Sequence, residues 1–323
     1  MSPLPFNLDV IQFLADHRTV PLTKFFYTVT TLGTFNFYVL IVTLIYVAWN
    51  KQLAIRLSVL LLLTSSLNGL LKLIIKNPRP FVREGTYLKK WAVSAREAAA
   101  LAGEYSTPSG HAMSAAAFYS YLYQCTRNTY FRVLAVVAII LIGFSRPYLG
   151  VHYVEDVLLG WAIGLGCALV ATKYLPAAGA RWNRISYAGQ IGIAVAASLA
   201  LWLLAVALNG GHVDGAPTAF LSDAGFLTGI VIARPLELRI VNFDPRSANV
   251  AARILRFLFT CVLVLCTVIV LNPAFWHLAA SLAWLGFLLQ YVRFTAVGVV
   301  NIFLAPLLFT KMGLAETSPA GAN

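Results

Sequence analysis

The stretch Ser145-Arg146-Pro147-Tyr148-Leu149-Gly150-Val151-His152-Tyr153-Val154-Glu155-Asp156 puts an arginine, a histidine and an aspartate close together in an otherwise apolar chain. With a helix beginning near Gly150, His152 and Asp156 stand at i and i+4 on one face. The carboxylate can then accept the Nδ1 proton and leave Nε2 free as a nucleophile or base. Arg146, just before the turn-forming Pro147, supplies a planar cationic fork suited to a phosphate or a carboxylate. Taken alone, a His and Asp pair can equally be a structural contact that holds two helices together.

Two earlier segments carry complementary groups. At Lys72-Leu73-Ile74-Ile75-Lys76-Asn77-Pro78-Arg79-Pro80 the prolines stop a helix and fix an extended exit. Lys72 lies a turn inside that helix and Arg79 just beyond it, so both can point at one anion, whereas Lys76 reads as a cation that snorkels to the polar boundary. At Ser106-Thr107-Pro108-Ser109-Gly110-His111, Thr107 is placed as an N-cap and Pro108 as the first helical residue. The N–H groups of Ser109, Gly110 and His111 then point out of a positive helix end, which suits an anion. Gly110 lets the backbone approach closely, Ser109 adds a hydroxyl donor, and His111 sets an imidazole beside whatever docks. By itself this segment is equally an ordinary capped helix start.

The elements that must position these groups are apolar. The chain has 323 residues, 59% of them hydrophobic and 11% charged, and a mean hydropathy of +0.77. That composition excludes a soluble domain and points to an all-α polytopic membrane protein. Apolar runs of about 20 residues, the length that crosses a hydrocarbon core of roughly 30 Å, start near Phe25, Leu53, Ala112, Val133, Val154, Tyr187, Phe220, Ile254, Phe275 and Ala296. The third and fourth are short and must borrow residues from their motif-bearing ends. Before them, Leu8, Ile11, Phe13 and Leu14 suggest a short amphipathic helix on the membrane surface, and Asp9, Asp16, His17 and Arg18 interrupt any signal-peptide core.

The net charge of +12 is distributed as a topology signal, not as a nucleic-acid footprint. Lys51, Arg56, Arg127, Arg132, Lys173, Arg181 and Arg184 follow the first, third and fifth runs, which makes those loops cytoplasmic. The loops at 76–107 and 145–153 then face outward, although the first is itself basic. The cysteines Cys125, Cys167, Cys261 and Cys266 sit inside apolar runs as small hydrophobes. The histidines are scattered, so no metal site has supporting ligand spacing and no cofactor is implied.

Together the three segments offer what phosphoryl transfer needs: cations and N–H donors for the equatorial oxygens, a nucleophile, and an acid for the leaving group. The pattern Lys72-x6-Arg79-Pro80, Pro108-Ser109-Gly110-His111 and Ser145-Arg146-x5-His152-x3-Asp156 resembles the three-part signature of the type 2 phosphatidic acid phosphatase superfamily, without departure at any specified position. The resemblance covers a six-span core at residues 25–208, with an interfacial segment at 1–24 and an extension of three or four spans at 209–323. It implies a metal-independent phosphatase in which His152 attacks phosphorus, Asp156 orients it, and His111 protonates the leaving oxygen. Lys72, Arg79, Ser109, Gly110 and Arg146 would hold the phosphoryl oxygens.

A site at the membrane boundary suits a lipid phosphate or diphosphate: isoprenyl diphosphate, phosphatidate, phosphatidylglycerol phosphate or a sphingoid phosphate. A phosphotransferase passing the same phosphoryl group to a second lipid, a vanadate haloperoxidase and a non-enzymatic lipid transporter are the competing readings; the apolar spans argue against the haloperoxidase. The loop from Phe81 to Tyr105 reads as a lid, with a capping box at Ser94-Ala95-Arg96-Glu97 and headgroup contacts from Lys89, Lys90 and Trp91. The extension is similar to that of a bacterial subgroup related to the sphingosine-1-phosphate phosphatases, which implies a bacterial inner membrane with the site on its periplasmic side. Within it, Arg234 and Glu237 at i and i+3 read as a structural pair. The sequence sets no oligomeric state.

Overall fold

The computed structural model describes residues 4–83, 101–213, 216–279 and 283–317. The helices are α1 (Asp9–Asp16), α2 (Val20–Thr31), α3 (Phe35–Ala48), α4 (Lys51–Ile75), the short α5 (Pro80–Arg83), α6 (Gly110–Cys125), α7 (Thr129–Tyr148), α8 (Val154–Trp182), α9 (Tyr187–Leu208), α10 (Ala216–Leu236), α11 (Val250–Ala279), α12 (Ala283–Val299) and α13 (Ala305–Lys311). Among the described residues, six helical stretches are long and apolar enough to cross a membrane, or seven if α2 and α3 count as one bent span. The protein is a multi-span membrane protein with a helical core and a helical C-terminal extension.

The spans differ from the sequence pattern in three places. The run from Phe25 to Trp49 is two helices meeting at 53°. Leu32 and Gly33 bond to carbonyls three residues back, and the Thr31 and Thr34 hydroxyls bond to the carbonyls of Thr28 and Thr31, so the chain tightens and turns there. The fourth run borrows residues at both ends, as its length demands. It starts under Asn128, whose side chain accepts from Tyr130 N at 2.9 Å, and it runs through Pro147 instead of stopping before it. The last three runs form two helical stretches, because α12 passes through a π-helical turn at Val300–Leu304 straight into α13. The extension therefore has three continuous helical stretches among the described residues, α10, α11 and α12 joined to α13.

Contacts divide the chain into two compact units, Met1–Tyr38 with Leu63–Ala178 and Leu208–Gly211, and Val39–Leu62 with Gly179–Ala207 and His212–Asn323. In the first, glycines set the helix spacing. A Cβ on Gly164 of α8 would lie 2.3 Å from Met113 O of α6, and one on Gly160 would lie 2.9 Å from Ser109 O. This small-xxx-small face lets α8 close onto the backbone of α6, and at its outer end Ser109 N donates to Asp156 O at 3.0 Å. Phe26, Phe81, Tyr148, Leu149 and Val151 form an apolar cluster under the chain that leads to His152. The N-terminal helix α1 packs on the core: Ile11 is buried, Phe13 is exposed, and the following Arg18 donates from Nε to Tyr148 O at 2.8 Å.

In the second unit the same device recurs between α10 and α12, where Cβ atoms on Gly225 and Gly229 would lie 2.5 Å from Tyr291 O and 2.4 Å from Thr295 O. Its polar centre is Glu237, 0% exposed and 2.9 Å from both Lys51 Nζ and Arg234 NH1. The expected Arg234 and Glu237 pair is present, and Lys51, read as a loop cation, is the third member of a buried triad. Nearby, Tyr46 donates to Ile302 O at 3.0 Å and Asn301 Nδ2 to Thr43 Oγ1 at 3.0 Å, so the π-helical turn is held by side chains from α3.

Two stability outcomes follow. Gly164→Val forces α8 off α6 and should lower stability by about 1–3 kcal/mol or more, whereas Gly166→Val, with nothing within 4 Å of its added Cβ, should leave the thermal midpoint in detergent nearly unchanged. Glu237→Ala strands a buried Lys51 ammonium and should cost about 3–5 kcal/mol; replacing Glu237, Lys51 and Arg234 together with Met should recover most of that loss in the same melt.

Candidate active site

The site begins where α4 ends. Lys72 stands in its last turn, and the exit carries Asn77 and Arg79. Asn77 ties this exit to the segment before α6: its Nδ2 donates to Thr107 Oγ1 at 2.9 Å, and its carbonyl accepts from Ser106 N at 2.8 Å. The Ser106 and Thr107 hydroxyls in turn donate to the two oxygens of Asp156, the second at 2.5 Å. Tyr153 N adds a third donor at 2.9 Å.

Three expected local geometries are corrected here. Helix α6 begins at Gly110, two residues later than a Thr107 cap implies, and the Thr107–Pro108 peptide is cis. Thr107 spends its hydroxyl on Asp156, and Ser109 N on the Asp156 carbonyl. The first-turn N–H groups left without an intrahelical carbonyl are those of Gly110, His111 and Ala112. Gly150 ends α7 and does not start α8: its φ is 78°, Gly150 N bonds to Pro147 O, and Val151 N bonds to Arg146 O. That is a Schellman closure, which needs glycine at the left-handed position. His152 thus precedes α8, which starts at Val154, yet its Nδ1 lies 3.3 Å from Asp156 Oδ2 and 3.3 Å from Ser106 Oγ.

The far side of the His152 ring faces cations. Arg79 NH1 lies 3.2 Å from His152 Nε2 and 3.0 Å from Val151 O. A guanidinium can only donate, so Nε2 must present its lone pair and Nδ1 must carry the proton. Burial first, then Arg79, Arg146 and Lys72, push the His152 imidazole well below its usual range, so it is neutral at pH 7. Arg146 is buried on the same site, its NH1 2.5 Å from Thr30 Oγ1 and its Nε without a partner among the described residues. Ser109 Oγ is also buried and has no partner among the described residues. His111, in the first turn of α6, is within electrostatic reach of Arg146, His152, Lys72 and Arg79.

All eight expected residues, Lys72, Arg79, Ser109, Gly110, His111, Arg146, His152 and Asp156, therefore surround one place. Around them stand groups the sequence did not single out. Asn68 donates from Nδ2 to Pro108 O at 3.1 Å, and its Oδ1 would lie 3.1 Å from a Cβ on Gly110, which explains the glycine. Gly33 leaves room for the His111 ring, since its added Cβ would lie 3.2 Å from His111 Cδ2. Glu104 reaches both Arg79 NH2, at 2.9 Å, and Lys72 Nζ, at 3.7 Å. A signal existed for Asn68, a polar residue inside an apolar helix one turn before Lys72. The expected lid helix at 94–97 and the contacts of Lys89, Lys90 and Trp91 lie outside the described residues.

The model of the PAP2 superfamily matches residues 53–180, and that of the PAP2 superfamily phosphatase transmembrane extension matches residues 221–317. The chain carries a PAP2 superfamily domain followed by a PAP2 transmembrane extension. Among PAP2 relatives, phosphatidylglycerophosphatase B of Bacillus subtilis is 36% identical over 110 residues, 30% of this chain and 53% of that protein. Lipid phosphate phosphatase delta of Arabidopsis thaliana is 28% identical over 157 residues, 45% of this chain and 36% of its own length. Undecaprenyl-diphosphatase of Sulfolobus acidocaldarius is 38% identical over 63 residues, 19% of this chain and 29% of that protein. The chain thus spans about half or less of the length of the curated relatives it matches. Every expected site residue lies within the PAP2 match.

The tautomer is measurable. In protein labelled with ¹⁵N-histidine, the His152 signal, assigned by its loss in His152→Asn, should show a protonated Nδ1 and an unprotonated Nε2 from pH 8 to about 5.5. The sign is set by the lowered pKa: the native ring refuses a proton that an ordinary histidine takes near pH 6.5.

Proposed function

We propose that the chain is a metal-independent membrane phosphatase that removes phosphate from a lipid phosphate or lipid diphosphate through a phosphohistidine. The observation that carries this reading is the environment of His152. Asp156 and Ser106 hold Nδ1, while the Nε2 lone pair faces Arg79.

In this reading a terminal phosphate takes its oxygens to Lys72, Arg79, Arg146, Ser109 Oγ and the Gly110 N–H. Ser109 Oγ and Arg146 Nε, which meet no partner among the described residues, are donors available to it. His152 Nε2 attacks phosphorus, the bond to the lipid oxygen breaks, and His111 gives that oxygen a proton. As the N–P bond forms, positive charge builds on the imidazole, and the Asp156 carboxylate at Nδ1 stabilises it. Water, deprotonated by His111, then attacks the phosphohistidine, releases phosphate and restores His152.

Lys72, His152 and the start of α6 belong to one end of the core helices, and Arg127, Arg132 and Lys173 belong to the other. With those cations on the cytoplasmic side, the site opens outside, in a bacterial inner membrane on the periplasmic side. Such a boundary position presents a lipid headgroup to the site while its tail remains in the bilayer, in keeping with the phosphoryl lipids that appear in the names of the relatives.

The test is phosphate release by detergent-purified protein in EDTA, from undecaprenyl diphosphate, phosphatidate, phosphatidylglycerol phosphate and sphingosine phosphate. Release should resist EDTA and fall by on the order of 10⁴-fold or more in His152→Ala. Release that needs a metal, or that survives in His152→Ala, overturns the mechanism.

A further inference from the structure

Glu104 stands where a substrate should. Its Oε2 lies 2.9 Å from Arg79 NH2 and 3.7 Å from Lys72 Nζ, two of the cations assigned to the phosphoryl oxygens. Arg79 is buried, with 2% of its side chain exposed, whereas 57% of the Glu104 side chain is exposed. A carboxylate thus reaches in from the open side and rests on donors that prefer a planar or tetrahedral oxyanion. Arg79 places NH1 on Val151 O and His152 Nε2 and NH2 on Glu104, while its buried Nε has no partner among the described residues. A phosphate that takes the Nε and NH2 fork with two oxygens must displace Glu104 from NH2.

What can displace Glu104 depends on charge. A terminal phosphate carries about −1.5 to −2 at pH 7 and three free oxygens. A phosphodiester carries one negative charge and has two free oxygens, so it brings no more charge to Arg79 and Lys72 than the carboxylate it must replace. Around a site at the membrane boundary, diester headgroups are the surrounding surface and outnumber any monoester. We infer that Glu104 is a specificity-determining residue, holding Lys72 and Arg79 against phosphodiester headgroups and yielding them to a doubly charged terminal phosphate. The inference rests on the phosphatase reading and adds to it the rule by which that site ignores most of the lipid around it. Because the pair is half open to solvent, its hold is weak, a few-fold to about tenfold in affinity, which a dianion can overcome.

Glu104→Gln keeps the shape and removes the charge, and Glu104→Asp keeps the charge. Kinetics on short-chain phosphatidate in neutral micelles, with and without phosphatidylglycerol as the diester, separate the two. In Glu104→Gln, KM should fall about 3- to 10-fold, by more than any change in kcat, and phosphatidylglycerol should become a competitive inhibitor. In wild-type protein and Glu104→Asp that inhibition should be weaker by the same 3- to 10-fold. An unchanged or raised KM in Glu104→Gln, or no inhibition by phosphatidylglycerol, overturns the inference.

If wild-type protein hydrolyses no lipid phosphate, the phosphatase reading fails. Glu104 is then judged by titrating inorganic phosphate and dimethyl phosphate into purified wild-type and Glu104→Gln protein. The variant should bind both anions about 3- to 10-fold more tightly than wild type. Unchanged binding of both overturns the role of Glu104 whatever the enzyme does.

Discussion

The carboxylate of Asp156 is the point at which the site is assembled. It is buried in an apolar protein, where an unsatisfied charge would be very costly, and it is satisfied by groups from two separate segments. Ser106 and Thr107 come from the approach to α6, and Tyr153 N and His152 Nδ1 from the approach to α8. Meeting those needs fixes the position of the histidine ring. Asn77 then links the end of α4 to the same hub through Thr107, so the elements bearing Lys72, Arg79, His111 and His152 share one polar anchor.

That anchor requires backbones to approach more closely than ordinary side chains permit. Gly160 and Gly164 let α8 lie on α6, and Gly143 lets the Trp161 ring of α8 lie on α7. Without hydrophobic gain to drive helices together inside a bilayer, close packing and hydrogen bonds carry association. The glycines near the site are therefore part of its geometry: they set where Asp156 arrives relative to Ser109.

The residues that meet at the site were legible because their types are rare in an apolar chain. An Arg, a His and an Asp within residues 145–156, and a Ser-Gly-His after a proline, stand out against their surroundings. The local backbone was less legible. Pro108 and Pro147 were read by their usual positions, as a first helical residue and a stop, but one follows a cis peptide and the other lies inside α7. Gly150 belongs to the end of α7 because its bonds reach back to Arg146 and Pro147. Partners that matter only through tertiary contact left almost no trace: Thr30 meets Arg146 across 116 positions and Asn77 meets Thr107 across 30. The span pattern blurred for a related reason, since the bend at Gly33 and the join of α12 to α13 are decided by neighbours and not by hydropathy.

The bonds from Asn77 to Ser106 and Thr107 have a further consequence, for how such a chain can change over time. They close the chain between residues 77 and 106 at its base, with Ser106 N on Asn77 O at 2.8 Å. Once ends are joined in this way, lengthening the segment between them costs little, about 0.6 kcal/mol for each doubling of a flexible loop. A change of length beyond Arg83 would leave Asn77, Ser106 and Asp156 joined as they are. The polar anchor thereby fixes the two ends of this stretch independently of how much chain runs between them.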